Sequence, residues 1–356
     1  MDTRKMQQYI VKGKEVFVGL EIAKRTWKVC ARCEGMEVHS TSMPAGYATL
    51  RSFFSNRFPA CSITVLYEAG FSGFTLRDQL VADGIACDVI PPHLVTEPKV
   101  NRVKTDSRDA RRLAKILETR DYRACDVPDA ERRADRQVVR TLMAIQKEIV
   151  ATRNRIIKTL DFHGIAHSLP TGAWGKKHLS LLRSLVADSP IVLPQEVLID
   201  LLEHLWTARE KLRSALRALT KKERYREAHK LICTIPGIGW FTAIRLILEL
   251  GENLSRFTRA NSIASFVGLT CAEYSTGDTV RRGRITGQGS RHIRSWLIES
   301  AWVSIRKDPA LLEKFRRVWR NSGSKKKAIV AVARMLITRL RTCVITQQPY
   351  VIGVVG

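Results

Sequence analysis

Residues 15–23 read EVFVGLEIA. The run is rich in β-formers, yet Glu21 lies in the middle of it, flanked by Val18, Leu20 and Ile22. Two further strand-like runs follow, Trp27–Cys33 and Glu37–Ser42, separated by short turn-prone gaps, so the three read as two hairpins. Ala45–Phe58 then carries Leu50, Phe53 and Phe54 on one helical face. ITVLYE at 63–68 is an apolar run of the length expected for a strand buried on both sides. A helix over 74–83 closes at Gly84, a fifth strand over 86–90 ends at Pro91-Pro92, and 105–119 is strongly helical with Leu113, Ile116 and Leu117 inward.

Three antiparallel strands followed by strand–helix alternation is the order of a ribonuclease H-like α/β fold, expected over 1–125. Residues 126–227 change character. Leu142, Ile145, Ile149, Ile156 and Leu160 repeat at helical spacing, as do Leu198, Leu201, Leu205, Leu212, Leu216 and Leu219. Between them 163–194 holds Gly164, Pro170, Gly172, Gly175 and Pro190, which reads as a break. Two long helices packed as an antiparallel hairpin are expected, intramolecular or shared with another subunit, with a pair of core-facing bundle helices as the alternative. Residues 228–356 read as a mainly helical, basic domain. There Pro236-Gly237-Ile238-Gly239 makes a tight turn between apolar helices, the pattern of a helix–hairpin–helix that presents backbone N–H groups at Gly237 and Gly239 to a phosphate.

Charge points to the partner. Sixty Lys+Arg against 34 Asp+Glu give a net +26, and only +6 of it falls in residues 1–125. A surplus of that size calls for a polyanion, of which nucleic acid is the commonest, and the C-terminal two-thirds supplies most of the attraction. Of eight cysteines only Cys30 and Cys33 form a Cys-x2-Cys, with no second pair to complete a zinc site, so they read as buried or free thiols. No apolar run reaches membrane-spanning length and no signal peptide is expected, so a reducing cytoplasm is the expected compartment.

Four carboxylates of the first domain carry candidate chemistry. Glu21 and Glu68 sit in apolar strands, where an unpaired charge is costly. Asp106 and Asp109, three apart at the start of a helix, project from one face. Each has an ordinary alternative: Asp106 and Asp109 complement a helix N-terminus, Glu68 caps the following turn, and Glu21 pairs with Lys24, Arg25 or Lys28. If strands one and four are neighbours, however, the four meet as an all-oxygen site suited to Mg²⁺ or Mn²⁺, whose ions act on both oxygens of a phosphodiester displacement.

Val18-Gly19-Leu20-Glu21-Ile22-Ala23-Lys24, Tyr67-Glu68-Ala69-Gly70 and Lys104-Thr105-Asp106-Ser107-Arg108-Asp109-Ala110 resemble the three N-terminal blocks of the DEDD-type insertion-sequence transposases (insertion sequence family one-ten). Pro236-Gly237-Ile238-Gly239, Phe266-Val267-Gly268-Leu269, Tyr274-Ser275-Thr276-Gly277 and Gly283-Arg284-Ile285-Thr286 resemble the C-terminal blocks in the family's order. The resemblance implies a RuvC-like metal-binding domain, a coiled-coil linker and a C-terminal transposase domain carrying a serine nucleophile. It also implies donor and target DNA as substrates, a structured bridge RNA as guide, and assembly into homodimers and homotetramers. Two departures stand out: Glu21 occupies a place where the family usually has Asp, and Thr276 precedes Gly277 where Ser is common. Ser275 or Thr276 can serve as nucleophile, and Ser275 is favoured because a primary alcohol is less hindered.

Without the resemblance, Ser275 reads as an ordinary loop serine. Arg281, Arg282 and Arg284 follow it, and Arg291, His292 and Arg294 open a helix, a cation set able to hold a scissile phosphate or simply to form a solvated basic face. The leading expectation is a transposase or recombinase using metal and serine. Alternatives are a Holliday-junction-type nuclease using metal and water, and an inactive nucleic-acid-binding relic.

Overall fold

The computed structural model describes residues 11–92, 105–165, 174–276 and 279–353. Lys104 and Gly277 of the quoted motifs, and Pro170 and Gly172 of the expected break, lie outside the described residues. The chain divides into two compact units at 127/128.

The first unit is a five-stranded mixed sheet in the order β3-β2-β1-β4-β5. Strands β1 (Glu15–Ile22), β2 (Thr26–Cys33) and β3 (Met36–Pro44) pair antiparallel, while β1, β4 (Ser62–Glu68) and β5 (Ala86–Ile90) run parallel. This is the strand order that the ribonuclease H-like reading requires, with strands one and four side by side. Alternation sorts the side chains of each strand to two faces. Val16, Val18 and Leu20 of β1 pack with Val65 and Tyr67 of β4 beneath α1 (Tyr47–Arg57) and α2 (Thr75–Ala82), through Leu50, Phe54, Leu76 and Leu80. On the other face Leu66 and Ile90 meet Leu113 and Leu117 of α3 (Asp106–Thr119).

Gly19 sets how closely α3 approaches. A Cβ there would stand 2.2 Å from the Ala110 carbonyl oxygen and 2.3 Å from the Ala114 nitrogen, so the helix backbone rests directly on β1. Cys30 of β2 is buried beside Ala110 and Ala114 on this face, whereas Cys33 belongs to the opposite core. The two thiols therefore do not share a site, and both are free.

The second unit begins with two long helices, α4 (Ala130–Phe162) and α6 (Val192–Leu219). They run antiparallel: Gln195 near the start of α6 donates to the Ile156 carbonyl (3.3 Å), and just beyond its end Lys222 pairs with Glu131 (2.9 Å) and Asp135 (3.1 Å). The expected break between them is partly helical. Leu179, Leu182 and Val186 of α5 (Lys176–Val186) recur at helical spacing and fill a small core with Ile149, Ile156 and Ile199. The glycines and prolines there punctuate the chain around a helix rather than abolish one.

The other ends of α4 and α6 belong to a larger core. Val139, Leu142, Leu216 and Leu219 pack with α7 (Glu223–Cys233), α8 (Trp240–Leu250), α9 (Ala260–Val267), α10 (Arg291–Ser304), α11 (Pro309–Ser322) and α12 (Lys325–Thr346). A two-stranded hairpin, β6 (Cys271–Thr276) with β7 (Thr279–Ile285), interrupts the helices between α9 and α10. Among the described residues no helix is long and apolar enough to cross a membrane.

Candidate functional site

The carboxylates of the first unit are placed by pairing and by one helix. In the parallel register Gly19 pairs with Leu66 and Leu20 with Tyr67, so Glu21 and Glu68 are the next positions on neighbouring strands, about 5 Å apart in backbone. Gly19 and Leu66 face α3, and two residues further along each strand Glu21 and Glu68 return to that same face. Both are half-buried, and Glu21 lies directly opposite Lys28 of β2.

Helix α3 runs opposite to β1. Arg120, just past its C-terminus, reaches Glu15 at the start of the strand (3.5 Å). From Glu15 to Glu21 the strand advances about 20 Å, and from Arg120 back to Asp106 the helix advances about 21 Å. The first turn of α3 therefore lies at the Glu21–Glu68 end of the sheet. Asp109 is in line with Leu113 and Leu117, which bury against the sheet, and is itself 8% exposed. Its carboxylate faces Arg112 (3.4 Å), while Asp106 one turn earlier is exposed.

All four carboxylates thus share one end of one face. Among the described residues no three His, Cys, Asp or Glu side chains gather tightly enough to hold a metal ion together. The arrangement is a common edge with Asp109 engaged by an arginine. The donor chemistry fits a hard divalent cation, because every candidate offers carboxylate oxygen and no thiol or imidazole stands among them.

The serine segment, read from sequence as a loop, is the end of β6. Ser275 pairs with Val280 and Thr276 with Thr279, the last rungs before residues 277–278. Tyr274 is 74% exposed and pairs with Arg281, which is also exposed. Strand propensity in a six-residue run interrupted by Glu273 is weak, and only the partner strand shows it.

The expected phosphate contacts divide into two kinds. Arg281, Arg284 and Arg291 are exposed, and Arg282 pairs in backbone with Glu273. Arg294 is differently engaged: its guanidinium donates to the carbonyls of Val267 (2.9 Å), Gln288 (3.0 Å) and Gly289 (3.2 Å). It ties the loop after β7 to the end of α9 and is committed to backbone. The Pro236–Gly239 turn also has a packing duty. Gly237 adopts φ +87°, and a Cβ there would stand 2.4 Å from the Ser300 carbonyl oxygen of α10. The Ser304 hydroxyl donates to the Ser300 carbonyl (2.6 Å) and to that of Pro236. Gly239, the N-cap of α8, is exposed with open space about it.

One group escaped the sequence reading. Arg245 of α8 lies between the rings of Phe241 (4.0 Å) and Trp296 (4.4 Å), with Arg213 over the same Phe241 (4.9 Å). Phe241 and Arg245 are one turn apart, which is the only local signal; Trp296 comes from α10.

Comparison with known proteins agrees with this architecture. A family model described as Transposase, of the DEDD IS110 type, matches residues 18–165, and the Transposase IS116/IS110/IS902 family model matches residues 229–316. A Sinorhizobium fredii protein named as a transposase (y4rJ) is 28% identical, over 91% of this chain and 90% of its own length. The transposase for insertion sequence element IS1111A of Coxiella burnetii is 24% identical, over 81% of this chain and 78% of its own. The pilin gene-inverting protein of Moraxella lacunata is 23% identical, over 94% of this chain and 98% of its own. The first model spans the sheet with its carboxylate edge and the second spans the Pro236–Gly239 turn and the β6–β7 ribbon, and on both grounds the chain belongs to the DEDD-type insertion-sequence transposases, enzymes that cut and rejoin DNA.

Proposed function

We propose that this transposase moves its element by joining DNA transiently to a serine, with the carboxylate edge of the first unit as the electrostatic half of the site. The observation that carries the reading is the parallel register, which puts Glu21 and Glu68 on adjacent strand ends under the turn that bears Asp106 and Asp109. A divalent cation, Mg²⁺ or Mn²⁺, held by these four residues would neutralise charge on the phosphate undergoing displacement. Glutamate at position 21 retains the charge and the oxygen donors expected of an aspartate there, with one methylene more reach.

In the covalent step the Ser275 hydroxyl oxygen forms a bond to phosphorus, and the phosphodiester bond to one strand end breaks. The departing oxygen takes up a proton and leaves as a hydroxyl. Attack by a strand-end hydroxyl reverses the step and regenerates serine, so bonds are exchanged without outside energy. Exposed Arg281 and Arg284 of β7 and exposed Arg291 at the start of α10 supply positive charge, with Arg282 a further candidate by its sequence position. The α7–turn–α8 element acts as a helix–hairpin–helix through the exposed N-terminus at Gly239, while Gly237 holds the turn closed against α10. A structured bridge RNA selects donor and target DNA, and the α4–α6 pair serves as a coiled coil through which copies associate into dimers and tetramers, bringing one copy's carboxylates to another's serine.

The test is a strand-exchange assay with the protein, its copurifying RNA, Mg²⁺ and the element's ends. A protein–DNA adduct is expected that disappears in Ser275→Ala and persists in Thr276→Ala. Asp109→Asn is expected to lower exchange at least roughly a hundredfold while leaving DNA affinity in place. Cleavage without any adduct would replace this mechanism with the metal-and-water nuclease. No cleavage by the unsubstituted protein would leave the inactive-relic reading. Full exchange by Asp109→Asn would remove the carboxylate edge from the chemistry.

A further inference from the structure

Between α4, α6, α8 and α10, all within the second unit, runs a trough of two joined recesses of about 640 and 570 Å³ that share Met143, Lys147, His292 and Trp296. Its walls carry six cations and a single carboxylate, Glu249. Glu249 is consumed by Arg136 (2.7 Å) and Arg140 (3.3 Å). Burial pushes its acid up and the two guanidiniums more than offset that, so it stays ionised and locked to them. Arg209 and Arg213 share the exposed Glu210 at 2.9 and 3.6 Å.

That leaves Lys147 and Arg245 facing the trough, and among the described residues neither has a carboxylate partner in ion-pair range. Among the described residues Arg245 donates only to the Phe241 carbonyl (3.1 Å) and the Thr242 hydroxyl (3.2 Å), and its guanidinium lies against two rings. Burial, with Arg213 repelling it, pushes its guanidinium down to about 10. It therefore remains charged at neutral pH in a place that disfavours charge, and an entering anion would relieve it. Alongside the cations stand aromatic surfaces, half-buried Trp296 and 41%-exposed Phe266.

Cations without counter-charges, interleaved with aromatic rings in a recess of small-ligand size, match the needs of phosphates and unstacked bases rather than of a duplex. We propose that this trough binds a single-stranded polynucleotide, its phosphates on Lys147 and Arg245 and its bases against Trp296 and Phe266. The binding deepens the nucleic-acid part of the reading above and stands independently of the serine and the metal. The trough would hold a stretch of strand that is unpaired during exchange, or the unpaired part of a guide.

Fluorescence anisotropy of the full-length protein with labelled dT and rU 20-mers and with a 20-base-pair duplex tests this. Lys147→Glu changes an exposed helix position and leaves the core untouched. It is expected to weaken single-strand binding roughly tenfold and to flatten the dependence of log affinity on log salt by about 0.7, the signature of one lost phosphate contact. Trp296→Leu is expected to weaken it roughly five- to tenfold through lost stacking. Duplex binding by both variants should change less than twofold. A strand carrying 5-iodouracil should cross-link to the α10 peptide that contains Trp296. A tighter rU than dT complex names RNA as the occupant and the reverse names DNA; either supports the proposal. Unchanged single-strand affinity in both variants, or an equal loss on duplex, would overturn it, and neither result would bear on whether a serine adduct forms.

Discussion

Single residues carry much of the weight in the first unit. Gly19 has no side chain because the backbone of α3 occupies the space, and that contact fixes where Asp106 and Asp109 come to rest. Gly19→Ala must push the helix off β1, since backbone atoms cannot turn aside as a flexible side chain would. We expect a loss of about 1–3 kcal/mol in urea unfolding and a larger relative loss of strand exchange, because the carboxylate edge is displaced along with the helix. Stability and exchange both unchanged in that variant would mean that the close approach is unimportant. Asp109 illustrates the limits of local reading. Its sequence position suits a helix N-terminus, and only its line with Leu113 and Leu117 turns it toward the sheet.

At the scale of elements, the β6–β7 ribbon and the loop that follows it show how a basic cluster separates into two tasks. Arg294 is bound to three carbonyls, whereas Arg281 and Arg284 are exposed on the ribbon. Arg294→Gln should therefore speed hydrogen exchange across residues 266–290 and leave the salt dependence of DNA binding nearly unchanged. Arg281→Ala and Arg284→Ala should do the opposite, each lowering the salt slope by about 0.9 on duplex DNA with little change in exchange protection. A salt-slope change in Arg294→Gln equal to that of the ribbon arginines would return it to the phosphate contacts. Sequence spacing gave these arginines the same appearance; the carbonyls that claim Arg294 come from Val267 and from the loop after β7.

For the molecule as a whole, each unit has its own cores, the sheet with α1 to α3 in one and the helices in the other. Calorimetry is expected to show two transitions. Ile149→Ala, which empties a fully buried position of the α4–α5–α6 core, should cost about 2–5 kcal/mol and lower one transition alone. A single transition shifted as a whole by that substitution would show that the two units unfold together. The charge follows the same division: most of the net +26 lies beyond residue 125, in the part that holds the ribbon and the trough.

Sequence by itself determined the elements of the first unit, their order and the identity of its carboxylates. Apolar periods of two and 3.6 are local properties, and a charge inside an apolar strand is conspicuous wherever it falls. The long helices α4 and α6 were legible for the same reason. What the tertiary structure decided depends on partners distant in the chain. It paired β1 with β4 so that Glu21 and Glu68 became neighbours, gave Ser275 a strand by supplying β7, and recovered a helix from a stretch punctuated by glycine and proline. It also spent Arg294 on backbone carbonyls and lodged Arg245 between Phe241 and a tryptophan from α10. Register, burial and counter-charge are properties of assembled surfaces, and no window of sequence contains both sides of one.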